Sequence, residues 1–118
     1  MKKSNEPQVL RGEIYYADLS PNYGCEQGGL RPVLIVQNNV GNRYAPTTII
    51  IPLTSRLTKK PLPTHVTFSC EHLSQGSVAL LEQVRTIDKS RLKQRVGWVT
   101  PEVMEQVNKA MMISLGLV

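Results

Sequence analysis

Two residues carry most of the chemistry that can be read from this chain. Arg31 follows Gly28 and Gly29 and opens the apolar run "RPVLIVQ", and Thr54 closes the run "TTIIIPLT". A guanidinium fixed at a strand start can fork onto a phosphate through two N–H groups. A threonine hydroxyl can donate to a second phosphate oxygen. Glu26 lies just upstream and can orient the guanidinium, while a purely structural salt bridge between Arg31 and Glu26 is the competing use of the same pair. Such a set suits RNA, whose 2′-OH is an internal nucleophile beside each phosphate. A protein then need only hold the backbone in line, spread the developing charge and move protons.

Other chemistries lack their residues. The chain has no P-loop, GxGxxG, HExxH or GxSxG pattern. His65 and His72 are the only histidines and fall on different expected elements, and the acidic residues are too few and scattered to build a two-metal site. No metal and no cofactor are expected. His65 is a candidate general base, although a lone strand histidine is more often inert.

The elements that must position Arg31 and Thr54 are mostly strands. "EIYYADL" (Glu13–Leu19) mixes β-branched and aromatic residues and reads as a first strand. Ser20–Gly29 is a loop rich in Pro, Asn and Gly. "RPVLIVQ" does not alternate, so it is a strand buried on both faces, with Pro32 at its start. "VGNRYAP" reads as a turn, and "TTIIIPLT" (Thr47–Thr54) as a strand with Pro52 at a bulge or edge. "SRLTKKPLP" is a basic loop and "THVTF" a half-exposed strand. "SVALLEQVRTI" (Ser77–Ile87) makes one bent strand or two short ones, and "QRVGWVT" (Gln94–Thr100) closes the sheet. The period then changes. Thr100 and Pro101 supply an N-cap and N1, Val103, Val107, Met111 and Leu115 recur every four residues beside Met104, and Gly116 ends the helix. The expected fold is mainly β, a small SH3-like β-barrel with a C-terminal α-helix packed against it.

Composition sets the class. The 118 residues fit a loose N-terminal tail (1–9) and one domain (10–118), and 41% hydrophobic against 19% charged residues implies a folded chain. "MKKSNEPQVL" has no apolar core for a signal peptide, and no apolar run approaches the roughly 20 residues of a membrane span. Cys25 and Cys70 fit no metal spacing and read as free thiols of a cytoplasmic protein. The net charge of +5 is unevenly placed. Between Gln27 and Cys70 there is no Asp or Glu, but there are Arg31, Arg43, Arg56, Lys59 and Lys60. A second cluster holds Arg85, Lys89, Arg91, Lys93 and Arg95. Clustered positive charge attracts polyanions, although such runs are usually only a solvated surface.

Four stretches together, "RGEIYYADLSP", "EQGGLRPVLIVQNN", "PTTIIIPLTS" and "LLEQVRTIDKSRL", resemble the MazF/PemK toxin family of toxin–antitoxin systems, in order from Arg11 to Leu117. The resemblance implies a homodimeric SH3-like barrel and a sequence-specific, metal-independent ribonuclease acting on single-stranded RNA. It also implies a cognate antitoxin whose flexible acidic segment covers the RNA site. The family's catalytic arginine falls on Arg31 and its catalytic threonine or serine on Thr54, with Glu26 beside them. Its mobile loop along the RNA groove falls on Ser20, Pro21, Asn22, Tyr23, Gly24, Cys25, Gln27, Gly28 and Gly29. Gln83 and Arg85 match positions along the RNA path, and Leu62, Pro63, Thr64 and His65 a second loop near the bases, with Arg56 between. Cys25 stands where a small residue such as Ser is common, and Ser69–Ser77 is shorter than in close relatives. A guanidinium is effectively never deprotonated, so Arg31 is expected to stabilise charge and donate protons, with the base left open.

Two other functions compete. One is a related barrel that poisons a non-RNA target such as DNA gyrase by binding alone. The other is a plain RNA-binding module. The pairing of Arg31 with Thr54 favours chemistry over mere binding. The scarcity of aromatic residues, 5% of the chain, argues against a stacking platform.

Overall fold

Successive strand residues point to opposite faces of a sheet, and this alternation divides the core of the protein in two. The structure, a computed structural model, describes residues 8–21, 23, 24, 26, 28–55, 61–70, 72, 73 and 76–118. The strands are β1 (Glu13–Asp18), β2 (Leu30–Ile35), β3 (Thr47–Thr54), β4 (His65–Phe68), β5 (Ser77–Leu80), β6 (Arg85–Asp88) and β7 (Leu92–Trp98). Helix α1 (Asn39–Tyr44) lies between β2 and β3, and α2 (Pro101–Ser114) follows β7. The seven-stranded sheet runs β4-β5-β3-β2-β1-β7, with β6 also paired to β3. Every pairing is antiparallel.

One face carries Ile14, Leu34, Ile51, Leu53, Val66, Phe68, Ala79 and Leu81, closed over by Val107 and Ala110 of α2. The other buries Tyr15, Ala17, Leu19, Val33, Ile35, Ile50 and Ile87, with Val9 packed against them. Strand β2 contributes to both, which is why its apolar run does not alternate. Pro52 lies inside a central strand rather than on an edge. It falls between the stretch of β3 that pairs β6 (Thr47–Ile50) and the stretch that pairs β5 (Leu53 and Thr54), a point where a residue without an N–H is tolerated. The segment Ser77–Ile87 is two short strands, β5 and β6, separated by a 3-10 turn at Leu81–Gln83.

The expected turn at "VGNRYAP" is instead the helix α1. It has no apolar stripe. Asn38 caps it by accepting from Gly41 N–H at 2.8 Å. The fully buried Asn42 then anchors it, accepting from Thr48 Oγ1 (2.7 Å) and Gln37 Nε2 (3.0 Å) and donating to the Gln37 carbonyl (2.9 Å). Helix α2 follows its sequence signals: Thr100 Oγ1 accepts from Val103 N–H at 3.2 Å, and Pro101 occupies the first turn. Gly116, at φ 70°, ends it in a Schellman arrangement, with Leu117 N–H on the Met112 carbonyl (2.8 Å) and Gly116 N–H on that of Ile113 (3.1 Å). Val103, Met104, Val107 and Met111 pack inward as expected, but Leu115 is exposed, because the helix has ended before it. Residues 1–7 of the expected tail lie outside the described residues.

Leu34, wholly buried between Ile14 and Ile51, tests the packing. Leu34→Ala should destabilise the fold by about 2–5 kcal/mol in urea unfolding, the usual range for a core leucine.

Candidate active site

The β2–β3 register places the two leading residues together. Val33 pairs with Pro52 and Leu34 with Ile51, so the same antiparallel register brings Arg31 opposite Thr54. Residues directly opposite have Cβ atoms about 4.5–5.5 Å apart. Both project from the face that carries Val33, Ile35 and Ile50, opposite to helix α2. Arg85 pairs with Ile50, and His65 with Leu80, in the same continuous register. Arg31, Thr54, Arg85 and His65 therefore share one face of the sheet.

Backbone carbonyls orient the Arg31 guanidinium. Its Nε donates to the Gly28 carbonyl at 3.1 Å and its Nη1 to the Leu53 carbonyl at 3.3 Å, one residue before Thr54. A carbonyl fixes the plane of a guanidinium without cancelling its charge. The Glu26 carboxylate serves the turn of its own loop: Oε1 accepts from Tyr23 N–H at 3.0 Å, and Glu26 N–H donates to the Tyr23 carbonyl at 3.0 Å. The loop is shut at its base by Leu19 N–H on the Gly29 carbonyl (2.9 Å), and Gly29, at φ 73°, adopts a backbone that suits glycine alone. Ser20, Pro21, Tyr23, Gly24 and Glu26 of this loop are exposed, and Gly28 and Gly29 are half-buried. Asn22, Cys25, Gln27 and Arg56 lie outside the described residues.

The basic cluster divides on inspection. Arg91 Nη1 donates to the carbonyls of Asp18 (3.0 Å) and Ser20 (2.6 Å) and so buttresses the start of the glycine loop. Arg95 pairs with Glu13 at 2.9 Å and stacks over Trp98, and Lys89 Nζ donates to the Asn42 carbonyl. These three are parts of the scaffold. Half-buried Arg85, by contrast, makes no side-chain hydrogen bond or ion pair among the described residues. Sequence patterning grouped all of these charges together. Nothing in it marks Arg91 as a loop support, since its partners are carbonyls more than 70 residues away.

Both ring nitrogens of His65 are engaged. Its Nδ1 accepts from Leu62 N–H at 3.3 Å and its Nε2 lies 3.0 Å from Glu82 Oε2, so the hydrogen-bond network assigns the proton to Nε2. Thr64 Oγ1 donates to the other Glu82 oxygen at 2.9 Å. Burial pushes the Glu82 carboxyl up, but hydrogen bonds from His65, from its own backbone and from Thr64 outweigh it and hold the group below the usual carboxylate value. Leu62 and Pro63 are exposed at the tip of this loop, and Gln83 follows Glu82 half-buried. Among the described residues no three His, Cys, Asp or Glu side chains gather as metal ligands would. No helix among them is long and apolar enough to cross a membrane.

The protein is of the class built on a seven-stranded antiparallel sheet with a C-terminal helix on one face. The chain matches the model of the PemK-like, MazF-like toxins of type II toxin–antitoxin systems over residues 10–115, and it belongs to that family. It is 51% identical over 111 residues to the endoribonuclease MazF of Staphylococcus saprophyticus, covering 92% of each chain. Among solved structures it is similar to an endoribonuclease from a mycobacterial species in complex with its cognate antitoxin (32% identity, TM-score 0.78, covering 93% of this chain and 97% of that one). It is also similar to MazF from Deinococcus radiodurans (27% identity, TM-score 0.81, covering 94% and 99%). The barrel-like fold expected from the sequence is the fold of these neighbours.

The lowered Glu82 carboxyl gives a signed pH effect. Its contribution to stability is complete above the ordinary carboxylate value of about 4.3 and is lost as the pH falls below it towards the folded-state value. Melting temperature measured against pH should therefore fall more steeply through this acidic range in the wild type than in Glu82→Gln.

Proposed function

We propose that this chain is a sequence-specific endoribonuclease toxin that cuts single-stranded RNA without a metal ion, acts in the cytoplasm and is neutralised by a cognate antitoxin. The observation that carries this proposal is the register that sets Arg31 opposite Thr54, with the guanidinium aimed by two carbonyls. Its family, and the endoribonuclease that is 51% identical to it, support the same activity.

In the reaction the 2′-oxygen of the nucleotide 5′ to the cut attacks the phosphorus. The O2′–P bond forms as the P–O5′ bond breaks, leaving a 2′,3′-cyclic phosphate and a 5′-OH. The 2′-OH proton passes to a base, and the leaving 5′-oxygen takes one up. Arg31 spreads the charge that develops on the phosphoryl oxygens and Thr54 donates to one of them. His65, with both ring nitrogens hydrogen-bonded, is given a structural part here, and the base is left unassigned. Glu26 shapes the glycine loop that borders the groove. Arg85 meets a flanking phosphate, and Gln83 with the Leu62–His65 loop lies along the bases. The exposed loop residues Ser20, Pro21, Tyr23, Gly24, Gly28 and Gly29 border the RNA, together with Asn22, Cys25, Gln27 and Arg56 beyond the described residues. An acidic antitoxin segment would compete for the same positive charges.

The chain is also proposed to form a homodimer. Leu10, Trp98, Met112, Ile113, Leu115 and Leu117 are exposed, and a second copy is the most economical cover for them. A dimeric mass by light scattering at micromolar concentration is expected.

Arg31→Ala should abolish cleavage of a long RNA in EDTA while leaving the melting transition in place. Thr54→Ala should slow cleavage by roughly 10²–10³, the range for one transition-state donor. An oligonucleotide that is RNA except for one deoxynucleotide 5′ to the scissile phosphate should bind but stay intact. Cleavage at that bond as fast as all-RNA would rule out the internal nucleophile.

A further inference from the structure

Glu82 belongs to none of the roles assigned so far, yet both of its carboxylate oxygens are engaged. It sits on the 3-10 turn Leu81–Gln83, and that turn is a firm platform. Leu81 is fully buried, its N–H donates to the Thr64 carbonyl at 2.9 Å, and its carbonyl accepts from Ser114 Oγ at the end of α2 at 2.8 Å. From this platform both Glu82 oxygens reach across to the Leu62–His65 loop, one to Thr64 Oγ1 at 2.9 Å and one to His65 Nε2 at 3.0 Å. The clamp continues one step further, because the other ring nitrogen of His65 receives Leu62 N–H. A single carboxylate thus fixes three successive points of the loop: the Thr64 hydroxyl, the His65 ring and, through that ring, the Leu62 amide. Gln83 ends the same turn, and Arg85 opens β6 two residues later.

We propose that Glu82 is a positioning residue of the RNA groove: it holds the Leu62–His65 loop at a set distance from Gln83 and Arg85, and so decides which bases the enzyme accepts. The inference rests on the ribonuclease assignment above and adds to it the residue that sets the loop. It also changes the part played by His65, which is 13% exposed at its side chain and acts as a strut between Glu82 and Leu62. The surface offered to a base is then the exposed tip, Leu62 and Pro63. Hydrogen bonds to a charged group are among the stronger ones in proteins, so removing this carboxylate frees the loop while leaving Arg31 and Thr54 untouched.

The test compares wild type, Glu82→Ala and Glu82→Gln in three measurements: mapped cut sites on a long RNA, KM and kcat on an oligonucleotide holding the wild type's best site, and histidine ring ¹⁵N shifts in RNA-free protein. In Glu82→Ala, KM should rise by roughly 10–100-fold, the factor for losing hydrogen bonds to a charged group. Its kcat should stay within about threefold, because chemistry at Arg31 and Thr54 is unaffected. The cut sites should spread to sequences the wild type ignores, and the His65 ring should lose its fixed Nε2–H tautomer. Glu82→Gln, whose amide oxygen still accepts, should keep most of the wild-type profile. Unchanged cut sites and KM in Glu82→Ala overturn the proposal, and so does a fall in kcat at constant KM. If Glu82→Ala shows no cooperative melt, the pair Thr64→Val with His65→Leu removes the same bonds from the loop side and must give the same broadened profile; an unchanged profile there overturns the proposal equally. A wild type that cuts no RNA while its His65 tautomer is fixed overturns the ribonuclease assignment itself and leaves the clamp a structural feature only.

Discussion

The antiparallel register of β2 against β3 is the constraint on which the site depends. Slipping β2 by one residue would send Arg31 to the face covered by α2, turn Leu34 away from it and leave Thr54 behind on the opposite face. The register is held because both faces of β2 are buried, Leu34 and Val36 in one core and Val33 and Ile35 in the other. No alternative pairing satisfies both cores at once. The placement of Arg31 and Thr54 is therefore inherited from apolar packing several residues away.

The way in which Arg31 is held has a chemical consequence. The carbonyls of Gly28 and Leu53 supply direction to its Nε and Nη1, and a carbonyl carries no formal charge that would neutralise the guanidinium. The Gly28 partner explains why the glycine loop is continuous with the site: the loop backbone is itself a ligand of the arginine. Arg91 acts on the same loop from outside, gripping the carbonyls of Asp18 and Ser20. Two arginines thus meet the loop, Arg31 at its Gly28 end and Arg91 at its Ser20 end.

Much of this was legible in the sequence. The strands of "RPVLIVQ" and "TTIIIPLT" and the capped helix α2 each carry a local signal strong enough to survive tertiary context. Arg31 and Thr54 stood out as candidates because both end apolar strands, and the strand pairing on which their placement depends follows the same apolar runs. Helix α1 was not legible, since its anchor is the buried amide of Asn42 rather than an apolar stripe, and burial of a polar side chain depends on partners that folding brings together. The separate roles of Arg85 and Arg91 were hidden for the same reason. Charge is visible in a sequence, but the carbonyl that receives it is not. His65 stood out in the sequence as a titratable strand residue, but only the structure shows both of its ring nitrogens engaged.

The bond from Leu19 N–H to the Gly29 carbonyl closes the glycine loop at its neck, where β1 ends and β2 begins. That bond ties the two ends of the loop to each other at the strand ends, apart from the register of the strands themselves. The entropy of closing such a loop grows only slowly, by about 0.6 kcal/mol for each doubling in length. Insertions, deletions and wholesale replacement within it are thus cheap for the fold, while the strands on either side tolerate almost none. Divergence in what the groove recognises, and in which antitoxin fits it, can accumulate there over evolutionary time without endangering the barrel that makes the toxin a toxin.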